Sequence, residues 1–208
     1  IQLTIDRLKS KYSEKIADHE KDDFSKSLLI IGKQIKQIEN LVNEFSDFAR
    51  MPKPILKDNN LTNIARENIN LLNELDESID INFKLQKNDV FLISDSEQLS
   101  RVFFNLIKNS IESIQEKKLS TTNYKGKINI DLKYNDNYIE FVIVDNGVGL
   151  GVFKNDIKNI LNPYFTTKEK GTGLGLAIVN KIINDHNGIL NFIPLDNGAK
   201  IVIKFKKE

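Results

Sequence analysis

The chain contains the stretch Asn105-Leu106-Ile107-Lys108-Asn109 inside a longer segment, Asp95–Lys117, that has the apolar spacing of an amphipathic helix. Asn105 and Asn109 are four residues apart, so their side-chain amides share one face of that helix. Two neutral carbonyl oxygens on an accessible face suit Mg²⁺, a hard cation that prefers oxygen and retains waters and phosphate oxygens. Ordinary surface asparagines are the alternative. The predicted buried side consists of Leu99, Val102, Phe103, Leu106, Ile107, Ile111 and Ile114.

A second segment, Asp145-Asn146-Gly147-Val148-Gly149, directly follows a predicted strand, Tyr138–Val144. A carboxylate at a strand end can accept a hydrogen bond from an exocyclic amine, and glycine lets the backbone approach a flat base closely. An ordinary loop after a strand is the alternative. The segment is not a dinucleotide-binding fingerprint, because its glycines lack the required spacing and no long helix follows immediately.

The third segment is Gly171-Thr172-Gly173-Leu174-Gly175-Leu176-Ala177, and the amphipathic run after it predicts a helix. A glycine loop that opens a helix offers backbone N–H groups and the positive end of the helix dipole to phosphate oxygens. The segment lacks the lysine of a P-loop. The preceding residues, Leu150–Lys170, show little periodicity, and such long irregular segments are usually functional lids or disordered.

The remaining pattern from residue 53 onward predicts further helices and strands. A helix is predicted at Leu61–Leu75, and a hairpin turn at Asn135-Asp136-Asn137. The predicted strands are Ile79–Leu85, Lys127–Tyr134, Tyr138–Val144 and Ala199–Phe205. Helices with mostly antiparallel strands and no regular βαβ rhythm predict an α+β layer sandwich.

The first part of the chain, residues 1–50, has no proline, and its apolar residues alternate steps of four and three. This pattern predicts an antiparallel helical hairpin that pairs with a second copy in a four-helix bundle; packing on its own C-terminal domain is the alternative. The second helix has the seam Phe24, Leu28, Ile31, Ile35, Ile38, Val42, Phe45 and Ala49, and the first has Ile1, Ile5, Leu8, Tyr12 and Ile16. Met51-Pro52-Lys53-Pro54 ends the hairpin, so we predict one domain at residues 1–52 and another at 53–208.

Composition excludes several classes of function. With no cysteine among 208 residues, disulfides, thiol nucleophiles and Cys-based zinc sites are excluded, and two histidines leave little room for a His-rich metal centre. The net charge of +1 provides no field that would favour nucleic acid or anionic lipid. No apolar run is long enough to span a bilayer and no signal-peptide pattern is present, so we expect a soluble, cytoplasmic fragment.

Taken in this order, the three segments resemble the ATP-binding domain of sensor histidine kinases, within the superfamily shared with Hsp90, type II topoisomerases and MutL. Phe45-Ser46-Asp47-Phe48-Ala49-Arg50-Met51-Pro52 resembles the end of the second dimerisation helix in nitrogen-regulation (NtrB/NtrY-like) kinases. The resemblance implies a dimerisation hairpin followed by an α/β-sandwich ATP-binding domain of the Bergerat (GHKL) type. It also implies histidine kinase activity in the intact protein, with the phosphoryl group passed on to an aspartate of a response regulator.

The resemblance further implies ligand roles for individual residues. Asp145 is expected to accept from the adenine amino group, with Gly147 and Gly149 allowing the base to pack closely. Asn109 is the expected Mg²⁺ ligand, assisted by Asn105, so the implied cofactors are Mg²⁺ and ATP or ADP. The implied phosphate-binding residues are Lys168, Gly171, Thr172, Gly173, Leu174 and Gly175, within or next to a lid at Leu150–Thr172. Asn197-Gly198-Ala199 resembles the closing glycine motif, to which we assign a structural role.

The chain departs from the family pattern at several positions. Ser110 replaces the usual alanine, Leu161 replaces a phenylalanine that often begins the lid motif, and Glu112 replaces a basic phosphate contact. The phosphoacceptor histidine, with its acidic neighbour and Asn-Pro pair, has no counterpart. Because Ile1-Gln2-Leu3-Thr4-Ile5 resembles the segment just after that motif, we expect the phosphoacceptor before Ile1 and no catalytic residue or autophosphorylation in this chain.

Neither histidine of the chain fits the missing role. His19 is predicted to be a solvated residue between the helices, and His186 to lie at a helix C-terminus, where histidine is electrostatically favoured. The expected partners are a second copy through residues 1–50 and a response-regulator receiver domain, with no nucleic acid and no membrane contact by this fragment. The resemblance is compatible with anchoring of the intact protein in the inner membrane.

Two other functions fit parts of the pattern. Another GHKL-type ATPase would share Asn109, Asp145 and the glycine loop. It would lack the heptad hairpin, and it would normally use an acidic base near the position of Asn105. A non-enzymatic dimerisation and docking module would have no need of the nucleotide-binding segments.

Overall fold

The computed structural model describes residues 2–12, 16–17, 19–150, 157–166, 168 and 171–207. The chain divides into two compact units. The smaller unit comprises Ile1–Met51 and Thr167–Thr172, and the larger comprises Pro52–Thr166 and Gly173–Glu208. The grouping of residues 167–172 with the smaller unit differs from the division expected from sequence. The roles assigned to the two predicted domains stay predictions.

The smaller unit contains two helices that contact each other, α1 (Gln2–Tyr12) and α2 (Lys21–Ala49). α2 begins before Phe24, the first residue of the predicted seam. Its first turn contains Asp22 and Asp23, and acidic side chains are stabilised there by the helix dipole. Ile16, which the sequence pattern assigned to the first helix, lies in a bend after α1, so that part of the prediction is wrong.

Much of the apolar seam on α2 is exposed in the single chain. Leu28 is buried, whereas Ile38 is 62% and Val42 is 54% exposed. An apolar surface of this kind is what a second hairpin covers in a helix bundle. None of the described helices, α2 included, is both long enough and apolar enough to cross a membrane.

The larger unit combines helices with a mixed β-sheet. Its elements are β1 (Lys57–Asn60), α3 (Leu61–Leu75), β2 (Ile79–Leu85), β3 (Phe91–Ser94), α4 (Ser96–Ser120), β4 (Gly126–Tyr134), β5 (Tyr138–Asp145), a 3₁₀ helix (Ile157–Leu161), α5 (Gly175–Asp185), β6 (Gly188–Pro194) and β7 (Ala199–Lys206). β1 pairs with β3, and the main sheet has the strand order β2-β4-β5-β7-β6. β2 and β4 are parallel, and the other neighbouring pairs are antiparallel. This architecture confirms the predicted α+β class.

The predicted elements of this unit are found with small displacements at their ends. α3 and β2 have the predicted bounds, and β5 extends by one residue to include Asp145. The predicted hairpin turn joins β4 and β5, because Asn135 Oδ1 accepts hydrogen bonds from the backbone N of Asn137 (3.0 Å) and Tyr138 (2.9 Å).

Three strands, β1, β3 and β6, were not predicted. β1 and β3 contain four residues each, too few for a clear apolar alternation. β6 is an edge strand whose Ile189 and Ile193 are exposed, so its apolar residues do not mark one buried face.

The apolar face of α4 packs into the core of the larger unit. Phe103 stacks on Phe141 of β5 with the ring centroids 4.2 Å apart. Burial of each large apolar side chain stabilises the fold by roughly 1.5–3 kcal/mol. The predicted face is confirmed, since the following are all buried: Leu99, Val102, Phe103, Leu106, Ile107, Ile111 and Ile114. This packing determines which way the polar face of α4 points.

The start of α4 is tied to the segment after the proline break. Asp95 caps α4, because its Oδ1 accepts from the backbone N of Gln98 (3.1 Å), while its Oδ2 accepts from the backbone N of Ile55 (2.9 Å). The backbone N–H of Asp95 donates to Nε2 of His186 (2.9 Å), which caps the end of α5. His186 therefore has the expected helix-terminal position, and His19 is exposed in the turn before α2.

The same contacts change the acidity of Asp95. Burial by itself raises the pKa of this carboxyl, but hydrogen bonds from the backbone N–H groups of Ile55, Gln98 and Glu97 outweigh burial. The pKa of Asp95 therefore lies below its ordinary value.

We expect Asp95→Ala to lower the free energy of unfolding by about 1–2 kcal/mol, because it removes the cap of α4. Since the pKa of Asp95 is lowered by folding, this stabilisation is present above the ordinary carboxyl pKa of about 3.9 and is lost as the pH falls through the folded-state value. Urea unfolding at pH 7 and at about pH 3 measures both effects. Asp58→Ala, at an exposed position of β1, is the control. Equal stability of Asp95→Ala and the unmodified chain at pH 7 would contradict the capping role.

Candidate functional site

The polar face of α4 carries the two predicted amides. Asn105 donates through Nδ2 to the carbonyl oxygen of Arg101 (2.8 Å), which leaves its Oδ1 for a ligand. That Oδ1 lies 3.2 Å from the position that a Cβ would occupy at Gly175, the first residue of α5. Asn109 is half-buried, and its side chain has no hydrogen-bond partner among the described residues. The structure therefore brings Asn105 next to the glycine segment and leaves the amide of Asn109 available one turn further on.

Asp145 ends β5 with its carboxylate buried, at 4% exposure. Its Oδ1 accepts from the backbone N of Gly147 (3.0 Å), and its Oδ2 accepts from the hydroxyl of Ser110 on α4 (3.3 Å). The nearby backbone N–H of Ala199 also favours the ionised form of this carboxyl. A carboxylate has about four lone-pair positions, so the hydrogen bonds from Gly147 and Ser110 leave acceptor capacity for a ligand.

Burial raises the pKa of Asp145 above its ordinary value. The donors from Gly147, Ser110 and Ala199, together with the positive charge of Lys117, oppose this rise because they favour the ionised form. The net rise shows that they do not fully replace water around the charge. A ligand amine that donates to Asp145 would supply part of the missing stabilisation.

The loop after β5 packs against the turn before β7 without room for side chains. Gly149 has a φ of +74°, and a Cβ on it would lie 2.5 Å from the carbonyl oxygen of Gly198. Gly198 has a φ of +102°, and a Cβ there would overlap the carbonyl oxygen of Asp145. Only glycine fits either position, which agrees with the structural role expected for Gly198.

The start of α5 has the features of an anion-binding helix terminus. Leu174 occupies the N-cap position and provides no side-chain cap, and the first turn contains no acidic residue. Its side chain is fully buried, so only its backbone can face a ligand. Gly173 has a φ of +69° and accepts a hydrogen bond from the backbone N of Tyr164 (3.1 Å). Uncapped N–H groups at such a terminus suit phosphate oxygens.

Three of the predicted phosphate-binding residues lie in the smaller unit, so the structure does not group them with Gly173, Leu174 and Gly175. Within that unit the backbone N of Gly171 donates to the carbonyl oxygen of Lys168 (3.0 Å), and the hydroxyl of Thr172 donates to Glu44 of α2. Part of the predicted lid, residues 151–156, 167, 169 and 170, lies outside the described residues.

The structure shows the surroundings of two residues that depart from the family pattern, Glu112 and Leu161. Glu112 pairs with Lys108 one turn earlier on α4 (3.8 Å), which reduces the effect of its negative charge. Leu161 ends the 3₁₀ helix and is half-buried.

Several contacts around Asp145 were not found from the sequence. Ser110 was noted there only as a departure from alanine, yet it donates to Asp145. Lys117 donates from Nζ to the carbonyl oxygen of Gly147 (3.2 Å) and to Oδ1 of Asn197. One signal could have found Lys117, namely a polar residue at every fourth position of α4: Asn105, Asn109, Ser113 and Lys117.

The described residues contain no group of three or more His, Asp or Glu side chains that could hold a metal ion. A cation at the α4 amides would therefore need most of its oxygens from water and from a phosphate-containing ligand. This ligand set is ordinary for Mg²⁺ and weak for metals that prefer nitrogen or sulfur.

Comparison with known proteins agrees with this chemistry. A family model described as histidine kinase-, DNA gyrase B-, and HSP90-like ATPase matches residues 94–208. Over 206 residues (99% of the chain) the sequence is 33% identical to a protein of Rickettsia prowazekii (strain Madrid E) whose name describes an NtrY-like sensor histidine kinase. It is 32% identical over 220 residues (100% of the chain) to the nitrogen regulation protein NtrY of Azorhizobium caulinodans. The chain spans only 33% and 27% of the lengths of these relatives.

Solved structures are similar as well. The catalytic domain of histidine kinase ThkA has a TM-score of 0.62 and 28% identity, over 73% of this chain and 95% of that domain. ThkA solved in complex with response regulator protein TrrA has a TM-score of 0.71 over 99% of this chain and 57% of that one. At 22% identity, this second similarity concerns the fold alone.

We expect Asp145→Asn to raise the free energy of unfolding at pH 7, because it removes a buried charge whose pKa is raised by folding. The cost of that charge is absent while the carboxyl is protonated and develops as the pH rises through the folded-state pKa, so the gain should vanish at acidic pH. Urea unfolding without ligand, at pH 7 and at about pH 3, measures this.

Asp136→Asn, in the exposed turn between β4 and β5, is the matched control and should leave stability nearly unchanged. If Asp145→Asn were less stable than the unmodified chain at pH 7, the buried charge of Asp145 would not be a net cost to folding, and the prediction would be wrong.

Proposed function

Because the chain belongs to the family of histidine kinase-, DNA gyrase B- and HSP90-like ATPases, we propose that its larger unit is the catalytic ATP-binding domain of a sensor histidine kinase of the nitrogen-regulation type. In the intact protein this domain would supply the γ-phosphoryl group of ATP to a histidine, from which it passes to an aspartate of a response regulator. The observation that carries the proposal is the buried carboxylate of Asp145, which accepts from Gly147 and Ser110, has acceptor capacity left and lies at the close approach of Gly149 and Gly198.

Adenine is the base that fits this acceptor. Its exocyclic amino group donates a hydrogen bond, whereas the corresponding oxygen of guanine or hypoxanthine would face the carboxylate as a second acceptor. Gly149 and Gly198 approach each other closely beside Asp145, and we assign this glycine-rich loop to packing against the flat base. Asp145 is therefore assigned to the recognition of the base, with Gly147 holding its Oδ1.

The phosphate end of the site is assigned to α4 and α5. The amide oxygens of Asn109 and Asn105 would hold Mg²⁺, and the start of α5 from Gly173 to Gly175 would face phosphate oxygens. When bound, Mg²⁺ would neutralise charge on the phosphates. Lys168, Gly171 and Thr172 are proposed to join these contacts from the lid, as the family resemblance implies.

The smaller unit is assigned to dimerisation. Its support is the exposed apolar seam on α2, including Ile38 and Val42, which a second copy would cover. A response-regulator receiver domain is the proposed second partner; ThkA, a structural neighbour, was solved with such a regulator. Anchoring of the intact protein in a membrane is proposed only from the resemblance to nitrogen-regulation kinases.

We expect the chain to bind Mg·ADP, and Asp145→Asn to weaken that binding about ten- to a hundredfold, equivalent to roughly 1.5–3 kcal/mol, because a charged hydrogen bond to the base is lost. Isothermal titration calorimetry measures the affinities. Asp136→Asn is again the control. Unchanged affinity in Asp145→Asn would make the assignment of the base site wrong, and no thermal shift of the unmodified chain with Mg·ATP would favour a docking module without nucleotide.

We also expect no autophosphorylation of residues 1–208. His19 is an exposed turn residue and His186 accepts a backbone hydrogen bond through Nε2, so neither resembles an available phosphoacceptor on a dimerisation helix. Incubation with γ-labelled ATP, with an active histidine kinase as the positive control, tests this. Stable, acid-labile label on the chain that disappears in His19→Gln or His186→Gln would overturn it.

A further inference from the structure

Lys117 joins the two segments that surround Asp145. It lies in the last turn of α4, and its Nζ donates to the carbonyl oxygen of Gly147 (3.2 Å) and to Oδ1 of Asn197. Gly147 belongs to the loop after β5, whereas Asn197 belongs to the turn between β6 and β7. One ammonium group therefore holds both the loop and the turn to the same helix.

Gly147 connects Lys117 to the carboxylate of Asp145. Its carbonyl oxygen accepts from Lys117, while its N–H donates to Oδ1 of Asp145 (3.0 Å). The next residue, Val148, donates from its backbone N to the carbonyl oxygen of Ser113 on α4 (3.2 Å). The loop is thus bonded to α4 at successive residues, and the orientation of Gly147 affects where Asp145 points.

The surroundings of Lys117 give its side chain a defined position. The ammonium group lies 5.0 Å from the ring centroid of Tyr124, in a cation–π contact. The hydroxyl of Tyr124 in turn donates to the carbonyl oxygen of Asn146. Three neighbours therefore limit the movement of Lys117, in contrast to a lysine that extends into solvent.

We propose that Lys117 is a positioning residue for adenine recognition, which holds the Gly147 peptide so that the Asp145 carboxylate faces the exocyclic amino group of the base. This inference rests on the proposed function. Lys117 acts through the loop and does not contact the nucleotide. Its charge has a second effect in the same direction, because it favours the ionised form of Asp145, the form that accepts from an amine.

α4 would then carry residues that act at both ends of the ligand. Asn105 lies beside Gly175 at the phosphate end, and Lys117 contacts Gly147 at the base end. The two positions are separated by roughly 18 Å along the helix axis at 1.5 Å per residue. α4 therefore sets the distance between the base contact and the phosphate contacts.

The test compares Mg·ADP with Mg·IDP, whose base lacks the amino group, by isothermal titration calorimetry on the full chain. We expect Lys117→Met to weaken ADP binding about tenfold and to change IDP binding less than about twofold, so that the preference for ADP falls. Lys117→Arg, which keeps charged donors, should restore most of the preference. Lys118→Met is the matched control, because Lys118 donates to Ser78 (2.7 Å to Oγ) and does not contact the loop.

If Lys117→Met keeps the ADP preference of the unmodified chain, or weakens ADP and IDP binding equally, Lys117 does not position the base-recognising loop and the inference is wrong. If the unmodified chain itself binds ADP and IDP equally, the assignment of Asp145 to adenine fails, and the inference fails with it. The first result leaves the proposed function intact, whereas the second rejects its base site.

Discussion

The apolar face of α4, packed on the main sheet, is the constraint on which the rest of the larger unit depends. Phe103 stacks on Phe141 of β5, and the residues around it on the helix are fully buried. Because the rotation of α4 is set by this packing, its polar face has only one orientation. That face then places Asn105 beside α5, Ser110 beside Asp145 and Lys117 beside Gly147. The site is therefore positioned by the packing of the core.

The buried carboxylate of Asp145 lowers the stability of the folded protein. A carboxylate at 4% exposure loses most of its water, and its pKa rises even though the protein supplies several donors. The free-energy cost of this burial is partly offset by Gly147, Ser110, Ala199 and the positive charge of Lys117, all of which favour the ionised carboxylate. A site that is incompletely satisfied without ligand gains more from a ligand that donates a hydrogen bond, which is a common relation between stability and binding.

The sequence predicted the elements whose apolar residues recur with one regular period. α3 and β2 have the predicted bounds, and the buried face of α4 is the predicted one, since a long amphipathic helix repeats its signal over several turns. β6 was missed because apolar residues occupy both of its faces: Ile189 and Ile193 are exposed on one face and Phe192 is buried on the other, so the sequence shows no apolar–polar alternation. Ile16 was assigned to α1 because periodicity alone does not mark where a short helix ends.

The residues of the candidate site were found from the sequence by motif and resemblance, but their contacts were not. Ser110 and Asp145 are separated by 35 residues, and Lys117 and Gly147 by 30. Such pairs depend on how α4 lies against β5, which neither composition nor local spacing reveals. The grouping of residues 167–172 with the smaller unit has the same origin, since it depends on contacts such as that of Thr172 with Glu44.

A crystal structure of the chain with Mg·ADP would show whether Asp145 recognises adenine and Asn109 binds Mg²⁺. We expect the exocyclic amino nitrogen of adenine about 3 Å from the Asp145 carboxylate, and Mg²⁺ coordinated by the amide oxygen of Asn109. A nucleotide bound elsewhere, or one whose amino group faces a residue other than Asp145, would contradict it.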